Sequence, residues 1–329
     1  MAYQTGVPTS QENFFDLLTT FAAANGFTLD EHSAPSSRSA ISHAASGLYV
    51  QWRWDGTQGV AAYQSTGFSL GTAPGSQAGD SGNGQASGTV TTERRWEAIG
   101  AGPYTSYHFF ANNNSQGFPY LHYVLEYAPG EFRHGSVGRL EIFGDNWGGA
   151  TAEKGAYCAH AHWSGTVGPT STVHAFLFDS LGAQDTEATT WRCNNAGGEL
   201  PSHSTTQKWF VHTDDITIGN DPAGNVRERS GCGIREGFLA NAMDGYPANP
   251  NSGFVPFVPV FIYYRFFAPT VRFAKLGEVP DIRFLNGKNL EPAEELVLGS
   301  DTWKTFPWAR KATSGHHSGN AFIAYKKVV

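Results

Sequence analysis

The sequence predicts a mainly β fold: a β-sandwich or barrel-like core with one N-terminal amphipathic helix and long loops. Three observations predict it. Gly and Pro supply 39 and 17 of the 329 residues, about one in six, a density of backbone punctuation that suits strands and turns and disfavours a helical bundle. Short runs of aromatic and β-branched residues recur, separated by turn clusters, through most of the chain. One segment near the N-terminus carries a 3.6-residue apolar period instead.

That segment is the helix. Thr9-Ser10-Gln11-Glu12 has the form of a capping box, with the Thr9 hydroxyl and the Glu12 carboxylate answering the unpaired backbone donors of a helix start, and Pro8 precedes it. Phe14, Leu17, Leu18 and Phe21 follow at i, i+3, i+4 and i+7, and Asn25-Gly26 supplies a left-handed stop. The period then changes to two. Leu48, Val50, Trp52 and Trp54 alternate with Tyr49, Gln51 and Arg53 up to Asp55-Gly56, and Val60 to Tyr63 resume the pattern, which predicts a hairpin. Further strands are predicted at 107–110, 120–127, 138–143, 157–163, 173–178 and 208–212, and closing strands at 257–267, 281–285, 295–298, 303–306 and 321–326.

Two stretches interrupt this order. Gly71 to Gly88 has almost nothing to bury and marks the best internal boundary. Residues 213–253 are rich in Asn, Asp, Gly and Pro and read as a long loop excursion, of the kind that often forms an interaction surface. The expected organisation is a module at 1–98, helix plus β-hairpin ending in the Gly/Ser-rich loop, and a β-sandwich-like domain at 99–329. No internal repeat is present.

Composition removes several functions. Lys+Arg number 22 against 29 Asp+Glu, a formal charge of −7 with a pI near 5.9, so the cationic surface that nucleic-acid binding needs is not indicated. The longest apolar stretch, Phe254 to Phe267, is shorter than a membrane span and contains Pro256, Pro259 and Arg265. Met-Ala-Tyr-Gln-Thr-Gly has neither the basic nor the apolar region of a secretory signal, so synthesis in a cytoplasm is expected. Cys158, Cys193 and Cys232 are far apart and odd in number, which predicts free, mostly buried thiols.

Few constellations suggest chemistry. Cys158, His160 and His162 alternate along a predicted strand and would project from one face, as zinc ligands do; hydrogen-bonded strand histidines are the simpler reading, and no metal is expected. His316-His317 reads as part of a turn. Glu126, Glu131, Glu141 and Asp145 lie among aromatics, and a glycosidase would use two such carboxylates about 5 to 9.5 Å apart, Glu126 or Glu141 among them. Solvated strand carboxylates are the commoner finding. Nucleophile-elbow, phosphate-loop and dinucleotide motifs are missing. No catalytic residue and no cofactor are expected.

The aromatics divide by setting. Trp52, Trp54, Trp163 and Trp303 read as core, whereas Trp147 and Trp308 lie in turns, and Trp147 with Tyr104 is the candidate pair for stacking on a glycan or receptor. The run from Val255 to Tyr264 has prolines that cannot donate to a ladder, which places its first half at a sheet edge and makes Phe257, Phe261 and Tyr263 candidate subunit contacts. Phe14 and Leu18 in the helix are the other interface candidates.

Three groups of segments together resemble structural proteins from the tail tip or baseplate of tailed bacteriophages. They are Met-Ala-Tyr-Gln-Thr-Gly followed by Phe14-Phe15-Asp16-Leu17-Leu18; the central series His108-Phe109-Phe110-Ala111-Asn112, Leu121 to Tyr127, Phe132-Arg133-His134, Gly138-Arg139-Leu140 and Asn146-Trp147-Gly148-Gly149-Ala150; and the closing Pro280 to Phe284, Asp301 to Pro307 and Ala324 to Lys327. The resemblance spans most of the chain at low identity, through structural motifs. It implies a virion structural protein of the tail that is made in the host cytoplasm, assembles as a homo-oligomer with neighbouring tail proteins, and is not an enzyme. A host surface receptor or a fibre is the further partner it implies. The alternatives are a receptor-recognition or glycan-binding tail protein and, last, a polysaccharide hydrolase.

Overall fold

The computed structural model of the chain describes residues 2–55, 59–78, 95–97, 99–112, 118–143, 155–160, 189–193, 208–211, 229–232, 256–266, 272–287, 289–307 and 321–327. At 95, 97, 189–193, 208–211, 229–232, 262–266, 272–276 and 321 only the backbone is described. The fold is mainly β, as the sequence predicts, with antiparallel sheets and, among the described residues, a single α-helix.

The helix, α1 (Gln11–Ala24), starts one residue later than its expected cap. Ser10 is the N-cap: its hydroxyl accepts from the Asn13 amide (3.1 Å), and the Asn13 side-chain oxygen accepts from the Thr9 amide (3.0 Å), so Asn13 and not Glu12 completes the reciprocal pair. At the other end Gly26 takes a φ of 90° and the Phe27 amide reaches back to the Ala22 carbonyl (3.1 Å), closing the helix. Its buried stripe is wider than the predicted one and includes Phe15 and Ala22 beside Phe14, Leu18 and Phe21.

The described strands form three sheets. The central sheet has the order β1 (Ala2–Gly6), β7 (Ser106–Asn112), β8 (Tyr120–Ala128), β9 (Glu131–Arg139), β11 (Ala156–Ala159), β12 (Thr189–Cys193), β13 (Lys208–Val211). The second contains β2 (Thr28–Ser33), β3 (Arg38–His43), β4 (Leu48–Trp54), β5 (Gly59–Ser65) and β6 (Arg95–Glu97). The third has β14 (Arg229–Cys232), β15 (Val258–Phe266), β16 (Arg272–Asn286), β19 (Ala321–Lys327), β18 (Asp301–Pro307) and β17 (Glu295–Leu298), with β10 (Glu141–Ile142) also paired to β16.

Because strand side chains alternate, the central sheet serves two cores. Tyr107, Phe109, Leu121, Tyr123, Leu125 and Val137 point to α1 and the second sheet, where they pack with Phe14, Phe15, Leu18, Val50, Trp52 and Trp96. Phe110, His122 and His134 point the other way and pack against Tyr325 of β19, Phe110 and His134 stacked and His122 tilted, with Phe306 of β18 beside them. The architecture is three-layered, with the central sheet between the helix-and-second-sheet layer and the third sheet.

This arrangement corrects the boundary expected at residue 98. The N-terminal strand β1 pairs with β7, Tyr3 opposite Phe110, and the core around Phe14 mixes residues from both sides of that position. The strands that flank the Gly-rich stretch also pair with each other, β5 with β6 through Val60 and Trp96. Its described part, up to Ala78, is a folded-back loop in which the Gln77 amide group bonds the Ser69 backbone on both sides and the Thr72 carbonyl. The stretch thus connects neighbouring strands of one sheet.

Candidate functional site

The expected site residues scatter. Phe14 and Leu18 are 1% and 0% exposed and belong to the core, which corrects their assignment as subunit contacts. Tyr104 is corrected in the same way: its ring is buried, its hydroxyl donates to the Gly100 carbonyl (2.8 Å), and burial pushes the phenol's pKa up, so it offers no stacking face. Phe257 and Phe261 are partly buried, the first against Trp303 (5.5 Å between ring centres) and the second against Phe143 (6.0 Å). Tyr263 lies opposite Gly231 and Lys275 in the ladder, and its side chain is not among the described ones. Trp147, Trp163, Trp308, His162, His316, His317, Asp145 and nearly all of 213–253 lie outside the described residues.

β15 pairs with β16 through an irregular register in its proline-bearing half. Its ladder with β14 covers only Ile262 to Arg265, and the register with β16 is interrupted between Pro259 and Phe261. Among the described residues the first half of the strand has no neighbour on the β14 side.

Cys158 and His160 do share a face, but it is the apolar one. Cys158 is buried within the core and in no disulfide. The ring of His160 stacks on Trp96 (4.5 Å), its Nε2 lies 3.2 Å from the Val60 carbonyl, and its Nδ1 lies 2.7 Å from the Tyr123 hydroxyl, which also accepts from the Trp52 indole N–H (3.0 Å). Both ring nitrogens are engaged, which leaves no lone pair aimed at a metal. Among the described residues no group of three or more His, Cys, Asp or Glu side chains is placed to hold one.

Glu126 and Glu141 do not converge either. Glu126 caps the β8–β9 turn, accepting from the Gly130 amide (2.9 Å) and the Ser106 hydroxyl (2.8 Å). Glu141 lies past the far end of β9, and the seven steps of that strand from Phe132, opposite Glu126, to Arg139 span about 23 Å. That is well beyond the separation a glycosidase pair needs. Glu141 instead lies opposite Glu278, whose carboxylate burial pushes up in pKa and which Arg283 holds in an ion pair (2.7 Å).

What the fold does bring together is a histidine–tyrosine cluster between the central and third sheets. His108, His122 and His134 lie on adjacent strands and point to one face. His122 has its Nε2 at 2.9 Å from the Pro280 carbonyl and its Nδ1 at 2.7 Å from the Ser136 hydroxyl, and Ser136 lies 2.8 Å from the Tyr157 hydroxyl. His134 repeats the design, with Nε2 2.8 Å from the Pro307 carbonyl and Nδ1 2.8 Å from the Tyr325 hydroxyl. A carbonyl only accepts, so each Nε2 carries the proton and each Nδ1 accepts one from a hydroxyl.

The main cause of their electrostatics is burial, which holds the pKa of both rings, and that of His108, down to about 3. Arg133 depresses His134 further and Lys304 does the same to His108. The rings are therefore neutral near pH 7. Pro280 presents its carbonyl to His122 where β16 is irregular: its ladder shifts register between Pro259 and Phe261, and Asp281 takes a positive φ of 54°. The Asp281 carboxylate accepts from the Tyr120 hydroxyl (2.8 Å), adding a further tie between the two sheets. The arrangement pins two sheets together and exposes no reactive group.

The second feature is an edge. β17 is the last strand of the third sheet, and Val297 and Leu298 on it are 75% and 44% exposed. Glu295 shares the Val297 face, and it binds Lys304 (3.3 Å) and Lys327 (2.8 Å), both of which sit over the ring of Tyr3 on β1. Tyr3 belongs to the outermost strand of the central sheet, so the β17–β18 hairpin overhangs that sheet and Val297 faces inward with nothing described beneath it. No helix among the described residues is long and apolar enough to cross a membrane. No protein-family model matches the chain, and no curated protein matches it.

Proposed function

We propose that this chain is a structural subunit of a bacteriophage tail, at the tail tip or baseplate, that acts by assembling with other copies of itself and with neighbouring tail proteins. In this reading it is made in the host cytoplasm and ends in the virion. The observation that carries the assembly role is the overhanging edge: an outermost strand whose inward-facing Val297 is three-quarters exposed is a surface that a neighbouring subunit would cover. The tail assignment rests on the resemblance of the segments at 1–6, 14–18, 108–112, 121–127, 132–134, 138–140, 146–150, 280–284, 301–307 and 324–327. Those at 108–112, 121–127, 132–134, 280–284, 301–307 and 324–327 lie on strands of the central and third sheets. No described residue favours the glycan-binding alternative, since Tyr104 is in the core.

Val297→Asp tests the reading. The side chain is exposed, so the variant folds with an unchanged thermal midpoint, and it is expected to lose self-association in light scattering and to be missing from purified particles. Incorporation at the level of the unmodified chain would count against the edge as an assembly contact.

A further inference from the structure

We propose that the interface between the central sheet and the third sheet is an acid-released latch, in which protonation of His122 and His134 lets β16, β18 and β19 separate while α1 and the second sheet stay docked. This inference is independent of the proposed tail role, because it rests on the geometry of the cluster alone.

Both rings are fully buried, and both reach across the sheet boundary to backbone carbonyls that no other side chain in the cluster serves, at Pro280 and Pro307. A neutral imidazole satisfies each site, donating at Nε2 and accepting at Nδ1. A protonated one brings a charge into a layer of stacked rings, where Tyr120 lies 4.1 Å from His122, and Phe306 and Tyr325 lie 6.4 Å and 5.9 Å from His134. It also turns each Nδ1 into a donor facing Ser136 or Tyr325, so the hydroxyls that now donate must reverse.

Among the described residues the surrounding charges do not compensate. From the central sheet the cluster meets Tyr120, Tyr157, Arg133 and His108, with Glu126 beyond, tied to Ser106. From the third sheet it meets Tyr325, Lys304 and Asp281; that carboxylate is bound by Tyr120 and lies 4.0 Å from Lys326, which is itself paired with Asp301. Arg133 and Lys304 oppose a further positive charge. His108 lies on the same face, with Nδ1 2.8 Å from the Tyr3 hydroxyl, and adds a third ring that opens to water when the sheets part.

The opposite boundary of the central sheet differs. It is crossed by Phe14, Phe15, Trp52 and Trp96, with His160 buried among them and His43 at its margin against Phe27, so fewer imidazoles bridge it than the three on the other face. Opening exposes the rings to water, where an imidazole titrates near 6.5. Each then favours the open state by about tenfold per pH unit below that value, until its folded-state value is reached.

Hydrogen exchange on the full chain, corrected for intrinsic rates, reads this directly. Between pH 7.5 and pH 4.5 amides of β18 and β19 are expected to lose protection by at least about a hundredfold more than those of α1 and β4. The His122→Gln and His134→Gln variants keep a neutral donor and acceptor and should remove most of that difference. Protection lost in α1 as much as in β19, or retained in β19 at pH 4.5, overturns the proposal. Should a variant fail to fold, the comparison of α1 with β19 in the unmodified chain still decides it.

Discussion

The ring of Tyr123 on β8 lies directly over Gly135 on β9, its partner across the ladder, and fills the space where any other residue would carry its Cβ. The ring cannot swing away, because its hydroxyl is held between the Trp52 indole and His160. Gly135→Ala is therefore expected to lower the unfolding free energy by about 3 kcal/mol. A urea midpoint within error of the unmodified protein would show that the ring yields.

The hydroxyl itself gives a second prediction. Tyr123→Phe keeps the ring over Gly135 and removes the acceptor for Trp52 and the donor to His160, two buried polar groups. A loss of roughly 2 to 4 kcal/mol is expected, again by denaturant titration, and a loss below about 0.5 kcal/mol would mean that the pair is satisfied in some other way.

Ser10→Ala removes the side-chain acceptor at the start of α1. A cost of about 1 kcal/mol is expected, with Ser10→Asp restoring most of it because a carboxylate also accepts from the Asn13 amide. Thr9→Ala should be milder, since its amide is kept; the reverse ranking would put the cap back at Thr9.

Global stability should fall in acid. The folded-state values of His108, His122 and His134, about 3, lie below the unfolded value, so their contribution is complete above about pH 6.5 and declines as pH drops toward 3. Chemical denaturation from pH 8 to pH 4 is expected to show a plateau and then a fall. A midpoint that rises on acidification would contradict the neutral assignment of the rings.

Phe261→Asp separates packing from assembly on the proline-bearing strand. The ring touches Phe143, so some loss of stability, about 1 to 2 kcal/mol, is expected along with reduced incorporation into particles. Full incorporation would remove β15 from the contact surface and leave β17.

How much of this was legible in the sequence follows from where each signal is generated. α1 and the β4–β5 hairpin carry their own period and their own stops, and both form as read. β1, with only Ala, Tyr, Gln, Thr and Gly, becomes a strand because β7, more than a hundred residues away, pairs with it. β2 and β3 were missed because Thr-Leu-Asp-Glu-His-Ser and Arg-Ser-Ala-Ile-Ser-His carry too few apolar residues to show alternation. β9 was read only from Gly138, since Gly135, Ser136 and Gly138 look like a turn; the glycines are there because Tyr123 and Tyr120 occupy the space above them.

The same locality limits the site. Nothing within His108-Phe109-Phe110, Leu121-His122-Tyr123 or Phe132-Arg133-His134 says that three rings meet, because register between strands decides that. A signal was nonetheless present, in that each histidine alternates with core aromatics on a strand and must be buried with partners. The opposite error was made for Phe14, Leu18 and Tyr104, whose apolar or aromatic character fits a partner surface as well as a core until the third dimension is known.

Immunogold electron microscopy of particles from cells that produce this chain, with antibody against it and unlabelled controls, tests the tail-subunit claim most directly. The account predicts gold confined to the tail tip or baseplate; particles free of label, from lysates in which the chain is detected, would contradict it.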